Sequence, residues 1–420
     1  MQTSLMRAIA ALRHRNFRIF WTGQLISLIG TWMQNLAQGW LVLTLTDSPL
    51  LLGVVSAVQF TPMLLFSLLA GVIADRLPKR KILLLTQSGS ALTALTLGLL
   101  VLTNRVRYWH VLVMAGILGT INSLDNPTRQ SFIVELVGKR DLMNAIVLNS
   151  TAFNGARIIG PAIAGLAINK LGIAVCFLVN AASYLAVICG LLALRVQDVA
   201  KDKESETLVF SKIKEGLQYI RKTPIILRSL VLMVLISIFA MNFNVLIPVL
   251  ARDTLGLQAD GYGFLLSAMG VGALVGAVFM ALVSHLGPQW YIIIGGAVGL
   301  TLSQLLLAFN RSYTLATILL GITGIAMLAF VTSVNTTLQI NSPDHLRGRV
   351  MSIYTLVFLG LAPLGSLFSG TIANIGGAPA GLAAGAVIGL ISIAAVLIWG
   401  KHQPVLIQDN KKINKPVNPI

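Results

Sequence analysis

Long apolar runs separated by short polar turns make up almost the whole chain. The runs fall at about 19–45, 50–74, 82–103, 108–128, 146–169, 172–194, 225–250, 261–284, 290–309, 314–338, 350–373 and 379–400. An α-helix crosses a bilayer in roughly 20 residues, so the pattern predicts twelve spanning helices. Glycine and proline recur inside the runs, which suits membrane helices, where neighbouring helices and polar side chains re-satisfy the freed backbone. Turns such as Thr46-Asp47-Ser48-Pro49 and Gly376-Gly377-Ala378-Pro379 leave little chain outside the membrane. The longest polar segment, 195–224, separates six runs from six. After a mixed-charge stretch it places Phe210, Ile213, Leu217 and Ile220 three or four apart, predicting an amphipathic helix on the cytoplasmic surface. The expected architecture is an all-α membrane protein of two pseudo-symmetric six-helix bundles. Its parts are an amphipathic lead-in at 1–18, the first bundle at 19–194, the linker at 195–224, the second bundle at 225–400 and a tail at 401–420.

Composition agrees with this pattern: of 420 residues, 56% are hydrophobic and only 11% charged. The 31 Lys and Arg against 14 Asp and Glu give a net charge of +17, a balance that in a soluble domain points to nucleic acid. Here topology accounts for it. With the N-terminus inside, 25 basic residues fall on the cytoplasmic side, five outside, and Arg157 within a run, as the positive-inside rule requires. Both termini are then cytoplasmic, the basic face meets anionic inner-leaflet lipid, and no nucleic-acid partner is needed. Met1 to Arg18 has neither the apolar core nor the cleavage site of a secretory signal. Cys176 and Cys189 share one run and suggest no disulfide framework, and the five histidines show no metal-ligand spacing. Neither a phosphate-binding loop nor a Ser/His/Asp arrangement is recognisable. The expectation is a protein that is not an enzyme, carries no cofactor or metal, and draws energy from a proton gradient.

Between the second and third runs lies Gly71-Val72-Ile73-Ala74-Asp75-Arg76-Leu77-Pro78-Lys79-Arg80-Lys81. Glycine and alanine there permit close helix approach, and the basic residues hold the turn in the cytoplasm. Its counterpart in the second half, Ala281-Leu282-Val283-Ser284-His285-Leu286-Gly287-Pro288, lacks the aspartate and the basic residues. Charged cytoplasmic segments, Glu135 to Asn144 and Ser342 to Met351, lie between the fourth and fifth runs of each half. Duplication of a six-helix unit is a transporter architecture. The fifth run carries Gly155-Ala156-Arg157-Ile158-Ile159-Gly160-Pro161-Ala162-Ile163-Ala164-Gly165, where Gly160 and Gly165 remove bulk and Pro161 kinks the helix. The fourth ends in Leu124-Asp125-Asn126-Pro127-Thr128-Arg129-Gln130-Ser131-Phe132-Ile133-Val134-Glu135-Leu136-Val137.

On these residues the chain resembles the major facilitator superfamily, and within it the bacterial exporter group similar to the enterobactin exporter and related multidrug efflux proteins. The resemblance covers essentially the whole chain. Gly71, Asp75, Arg76, Arg80 and Lys81 fit the superfamily's loop between helices 2 and 3, while Pro78 and Lys79 depart from its glycine-arginine core. The resemblance implies that Asp75 latches the cytoplasmic side shut in the outward-facing state, near Arg347 or Arg349 at the start of the eleventh helix. With the counterpart loop degraded, the lock is expected to be one-sided. Gly155, Gly160, Pro161 and Gly165 look like the superfamily's antiporter motif. A charged helix end and a packing kink are the plainer readings of the two motifs.

Charge inside a bilayer is costly and faces protein or water. Asp125 and Arg157 lie within runs, with Arg129 and Glu135 near the cytoplasmic end of the fourth. Asp125 and Arg129 are four apart on one helical face, and Arg157 on the next helix is expected within reach of either. The expected role of Asp125 is a proton-sensitive carboxylate; the alternative is a permanent structural cluster. Candidate cavity residues are Gln24, Trp32, Gln34, Asn35 and Gln38 on the first helix, and Asn122, Asn149, Asn154, Asn242, Asn244, Asn335 and Gln339 elsewhere. Such amides serve equally well as glue between helices. The second half has no acidic residue inside a run, which favours a bulky, amphipathic or aromatic solute over a strongly cationic one. The expectation is a monomeric bacterial inner-membrane transporter that exports hydrophobic or amphipathic small molecules, drug or siderophore, by proton-coupled alternating access. A lysophospholipid or lipid flippase on the same fold, and a non-transporting sensor or secretion accessory, are the rivals.

Overall fold

The structure, a computed structural model, describes residues 10–194, 207–287 and 289–401, and no strand occurs among them. A 3-10 turn, Ala10–Arg13, leads into α1 (Arg15–Thr46), α2 (Pro49–Arg76), α3 (Lys79–Leu102), α4 (Tyr108–Leu171) and α5 (Ala174–Ala193). After the linker come α6 (Thr207–Lys222), α7 (Pro224–Phe239), α8 (Phe243–Val249) with a π-helical turn at Leu250–Thr254, and α9 (Ala259–Leu282). The chain then forms α10 (Trp290–Phe309), α11 (Tyr313–Ile340), α12 (Asp344–Gly360) and α13 (Ala362–Lys401).

Among the described residues nine segments are long and apolar enough to cross a membrane. Two of these, spanning 64 and 57 residues, are long enough for two crossings each at about 1.5 Å per residue. α4 breaks at Gly138 (φ 70°, ψ 175°) and α13 at Gly376 and Gly377, the latter at φ 71°. A positive φ is easily held by glycine, so these are the points where the two long helices break. Dividing there gives eleven crossings, and α1, which is not among the nine, is long enough at 32 residues to be a twelfth.

Three departures from the sequence pattern matter for function. The charged connection expected after the fourth run is helical on both sides of Gly138, because an established helix extends at little cost. The seventh run is broken: α7 stops at Ala240, and Asn242 starts α8 while donating from Nδ2 to Ile238 O at 2.6 Å, which satisfies a carbonyl freed by the break. α6 does more than lie on the membrane. Ile220 is buried in the second-half core, Tyr219 donates to Asn341 O at 2.6 Å and Glu215 pairs with Arg349, so α6 docks on the C-terminal half. Leu217 is exposed; Phe210 and Ile213 lie outside the described side chains.

Packing differs between the two ends of the molecule. At one end, the outer one on the topology expected from the basic residues, a single core joins the halves, bringing Leu36, Val42, Leu52 and Ile168 together with Leu246, Tyr262 and Leu320. At the inner end there are two cores, one confined to the first half around Phe20, Leu83, Phe132 and Leu191, the other to the second around Ile226, Met233, Leu300 and Phe330. The outer seam requires small residues. A Cβ on Gly165 would lie 2.6 Å from Ala259 O on α9, and one on Gly53 would lie 2.5 Å from Ser366 O on α13. Without a hydrophobic drive between lipid-bathed helices, such close backbone approach is a main source of association.

Candidate functional site

Asp125 is the most completely organised charge in the membrane-spanning part. It is 1% exposed. Thr86 Oγ1 and Gln87 Nε2, both on α3, donate to its Oδ1 at 2.6 and 2.9 Å, and Arg129, one turn further along α4, pairs with Oδ2. The carboxylate is thus held by two helices, α3 and α4. The i, i+4 spacing anticipated Arg129, whereas Thr86 and Gln87 are neutral residues in another apolar run and carried no signal. Arg157 does not join the cluster, contrary to the sequence expectation. Glu135 sits further out and pairs with Lys79.

Three of the gating residues, Arg80, Arg347 and Arg349, are engaged on their own halves. Arg80 donates to Leu191 O at 2.8 Å and Leu192 O at 3.0 Å, so its cation caps the negative end of α5. Arg347 donates to Gln339 O at 3.1 Å and pairs with Asp344 at 2.8 Å, while Arg349 pairs with Glu215. Arg76 is partly buried and Lys81 exposed; the Asp75 side chain lies outside the described residues. Gly71 was expected to permit close helix approach, but a Cβ built on it meets nothing within 4 Å. That correction concerns Gly71 alone: the helix Asp344–Gly360 does meet α2, with Gly360 against Leu64.

At mid-depth the antiporter-like segment divides into contacting and open positions. A Cβ on Gly160 would sit 2.6 Å from Trp32 Cβ, and the carbonyl of Pro161 faces Gly263 on α9; Gly155 has open space instead. The Arg157 guanidinium lies over the Trp32 ring, 5.9 Å from Cζ to the centroid, and Phe153 meets the same ring edge-on at 5.6 Å. Several amides prove to be glue. Gln34 Oε1 accepts from Asn180 Nδ2 and Gln38 Nε2 donates to Gln59 Oε1, both at 2.7 Å. Asn154 donates to Ser150 O at 2.8 Å and Gln339 to Asn335 at 2.6 Å, each within its own helix and so not joining helices. Gln24 is buried with Oε1 unpartnered among the described residues. Asn35 and Asn244 are exposed, and Asn122 and Asn149 are partly buried.

A polar clasp at the end of the shared core had no signal in the sequence. Arg252, in the π-helical turn after α8, donates to Leu43 O at 2.6 Å and to Asp47 Oδ1 at 2.7 Å, crossing from the second half to the end of α1. Ser48 donates to Asn374 Oδ1 at 3.0 Å across the same divide. Both contacts lie above the shared core and join the halves at the opposite end from the split cores.

The family model described as transmembrane secretion effector matches residues 6–415. The chain is 28% identical over 348 residues to the multidrug efflux pump Tap of Mycolicibacterium fortuitum, covering 80% of this chain and 84% of that protein. It is 24% identical to the staphyloferrin A transporter of Staphylococcus aureus (86% and 90% covered) and 23% identical to the enterobactin exporter EntS of Shigella boydii (84% of each). Among solved structures, the inward-facing bacterial homologue of the lysosomal transporter Spinster superposes with a TM-score of 0.74 at 14% identity, over 92% of this chain and 96% of that one. That likeness concerns the fold.

Proposed function

The chain belongs to the transmembrane secretion effector family of major facilitator transporters, and from that premise we propose that it exports amphipathic or hydrophobic small molecules by proton-coupled alternating access. The observation that carries the reading is the pairing of one shared outer core with two separate inner cores. A protein packed this way offers its mid-depth side chains to the cytoplasm and seals them from outside. Solute loads from the cytoplasm between the inner ends. Those ends then close, bringing the turn containing Asp75 toward the start of α12, while the Arg252 clasp and the glycine seam part to release solute outward. Asp125 is the proton site of the return stroke: protonation releases Arg129 and loosens α3 from α4, whereas ionisation restores the four-residue cluster.

The relatives named for drug efflux and siderophore transport support small, amphipathic cargo. Reconstitution into proteoliposomes with an imposed pH gradient tests the proposal. Wild-type protein accumulates a fluorescent amphipathic solute only while the gradient stands, and Asp125→Asn abolishes that dependence with protein level preserved. Equal transport with and without the gradient would remove proton coupling. Flipping of labelled lysophospholipid without a gradient would favour the flippase instead.

A further inference from the structure

We infer that Arg157, Trp32 and Phe153 form an oxyanion subsite, selecting solutes that carry a carboxylate beside a planar ring. The inference rests on the export reading and specifies its cargo. Phe153, Arg157 and Gly160 lie on one face of α4, all against Trp32 of α1. The backbone of Arg157 also abuts α9 of the other half, where a Cβ on Gly270 would be 3.3 Å from Arg157 O. Ile29 and Met33, near Trp32 along α1, and Met269, beside Gly270 on α9, belong to or pack on the shared core. The guanidinium therefore sits where the joined part of the molecule ends and the split part begins.

Its electrostatics are unusual for that depth. Among the described residues no carboxylate pairs with Arg157, and Asp125 is already held by Thr86, Gln87 and Arg129. The sequence has no acidic residue between Asp260 and Asp344 or from there to Lys401. Arg157 is partly exposed. An indole face interacts with one side of a guanidinium but accepts none of its five in-plane N–H donors. That planar fork matches a carboxylate bidentately, and the two aromatic rings supply a surface for the ring beside it. The same cation repels a positively charged solute.

Binding to purified protein by isothermal titration, with salicylate, its neutral isostere salicylamide and ethidium as probes, tests the assignment alongside transport of the same probes. Wild type binds salicylate at least tenfold tighter than salicylamide. Arg157→Gln loses that preference, Arg157→Lys keeps the charge but not the fork and retains only a small part of it, and ethidium binding is unchanged or tighter in Arg157→Gln. Equal wild-type binding of salicylate and salicylamide would overturn the subsite even if the glutamine variant fails to fold, as would a parallel loss of all three ligands in a folded variant. If wild type transports ethidium but shows no preference for salicylate, the subsite fails while export stands. If no probe of any charge is moved but salicylate is bound with the stated preference, export fails while the subsite stands.

Discussion

Asp125 and Arg129 form a unit with their α3 partners, and the energetics of that unit are measurable. Breaking a buried ion pair by removing one partner costs about 3–5 kcal/mol; the Arg129 side chain is 23% exposed, so a smaller loss of roughly 2 kcal/mol is expected for Asp125→Asn after solvent screening. The double variant Asp125→Asn/Arg129→Gln should recover part of this, giving a coupling of about 1–2 kcal/mol in a thermal-unfolding cycle. Additive losses would show that the two side chains act separately. Thr86→Val removes one donor from the same carboxylate and should cost about 1 kcal/mol, read by the same unfolding assay. The pair was legible because a four-residue spacing fixes two side chains on one helical face. Thr86 and Gln87 were not, since which face of α3 meets α4 is decided by packing between helices.

The elements that hold the outer end together make opposite demands on chemistry. Gly165 tolerates no side chain, and Gly165→Val should disrupt the α4–α9 seam by about 1–3 kcal/mol, the usual cost of overpacking. The Arg252 clasp is weaker because its Asp47 side chain is 88% exposed. Arg252→Gln should cost the observed packing about 1 kcal/mol, a shift of roughly fivefold away from it and, on the proposed mechanism, toward an outward-facing state. Alkylation of a cysteine placed at Asn35 from the outer side would report both changes, and unchanged labelling would show that neither contact holds the outer end shut. Gly160 and Gly165 were readable as close-approach positions from the motif itself. The break at Ala240–Asn242 and the clasp were not, because one depends on a side chain replacing a helix hydrogen bond and the other on residues 205 positions apart.

For the whole molecule, alternating access requires the inner ends to approach as the outer seam opens. Spin labels at Glu135 and Asp344, on opposite halves near the cytoplasmic end, should move closer when an outward-facing state is favoured by Arg252→Gln; a fixed distance would mean a rigid body and count against transport by rocking. The apolar runs determined the membrane class, and the motifs at 71–81, 124–137 and 155–165 carried the resemblance to the family, because each is legible in a short stretch of sequence. The packing alone decided that one core is shared while two others stay within their own halves, that Arg157 meets an indole instead of Asp125, and that Gly71 has open space beside it. Those outcomes depend on which helix faces meet and at what depth, and a hydropathy pattern along one helix leaves its rotation and its neighbours unspecified.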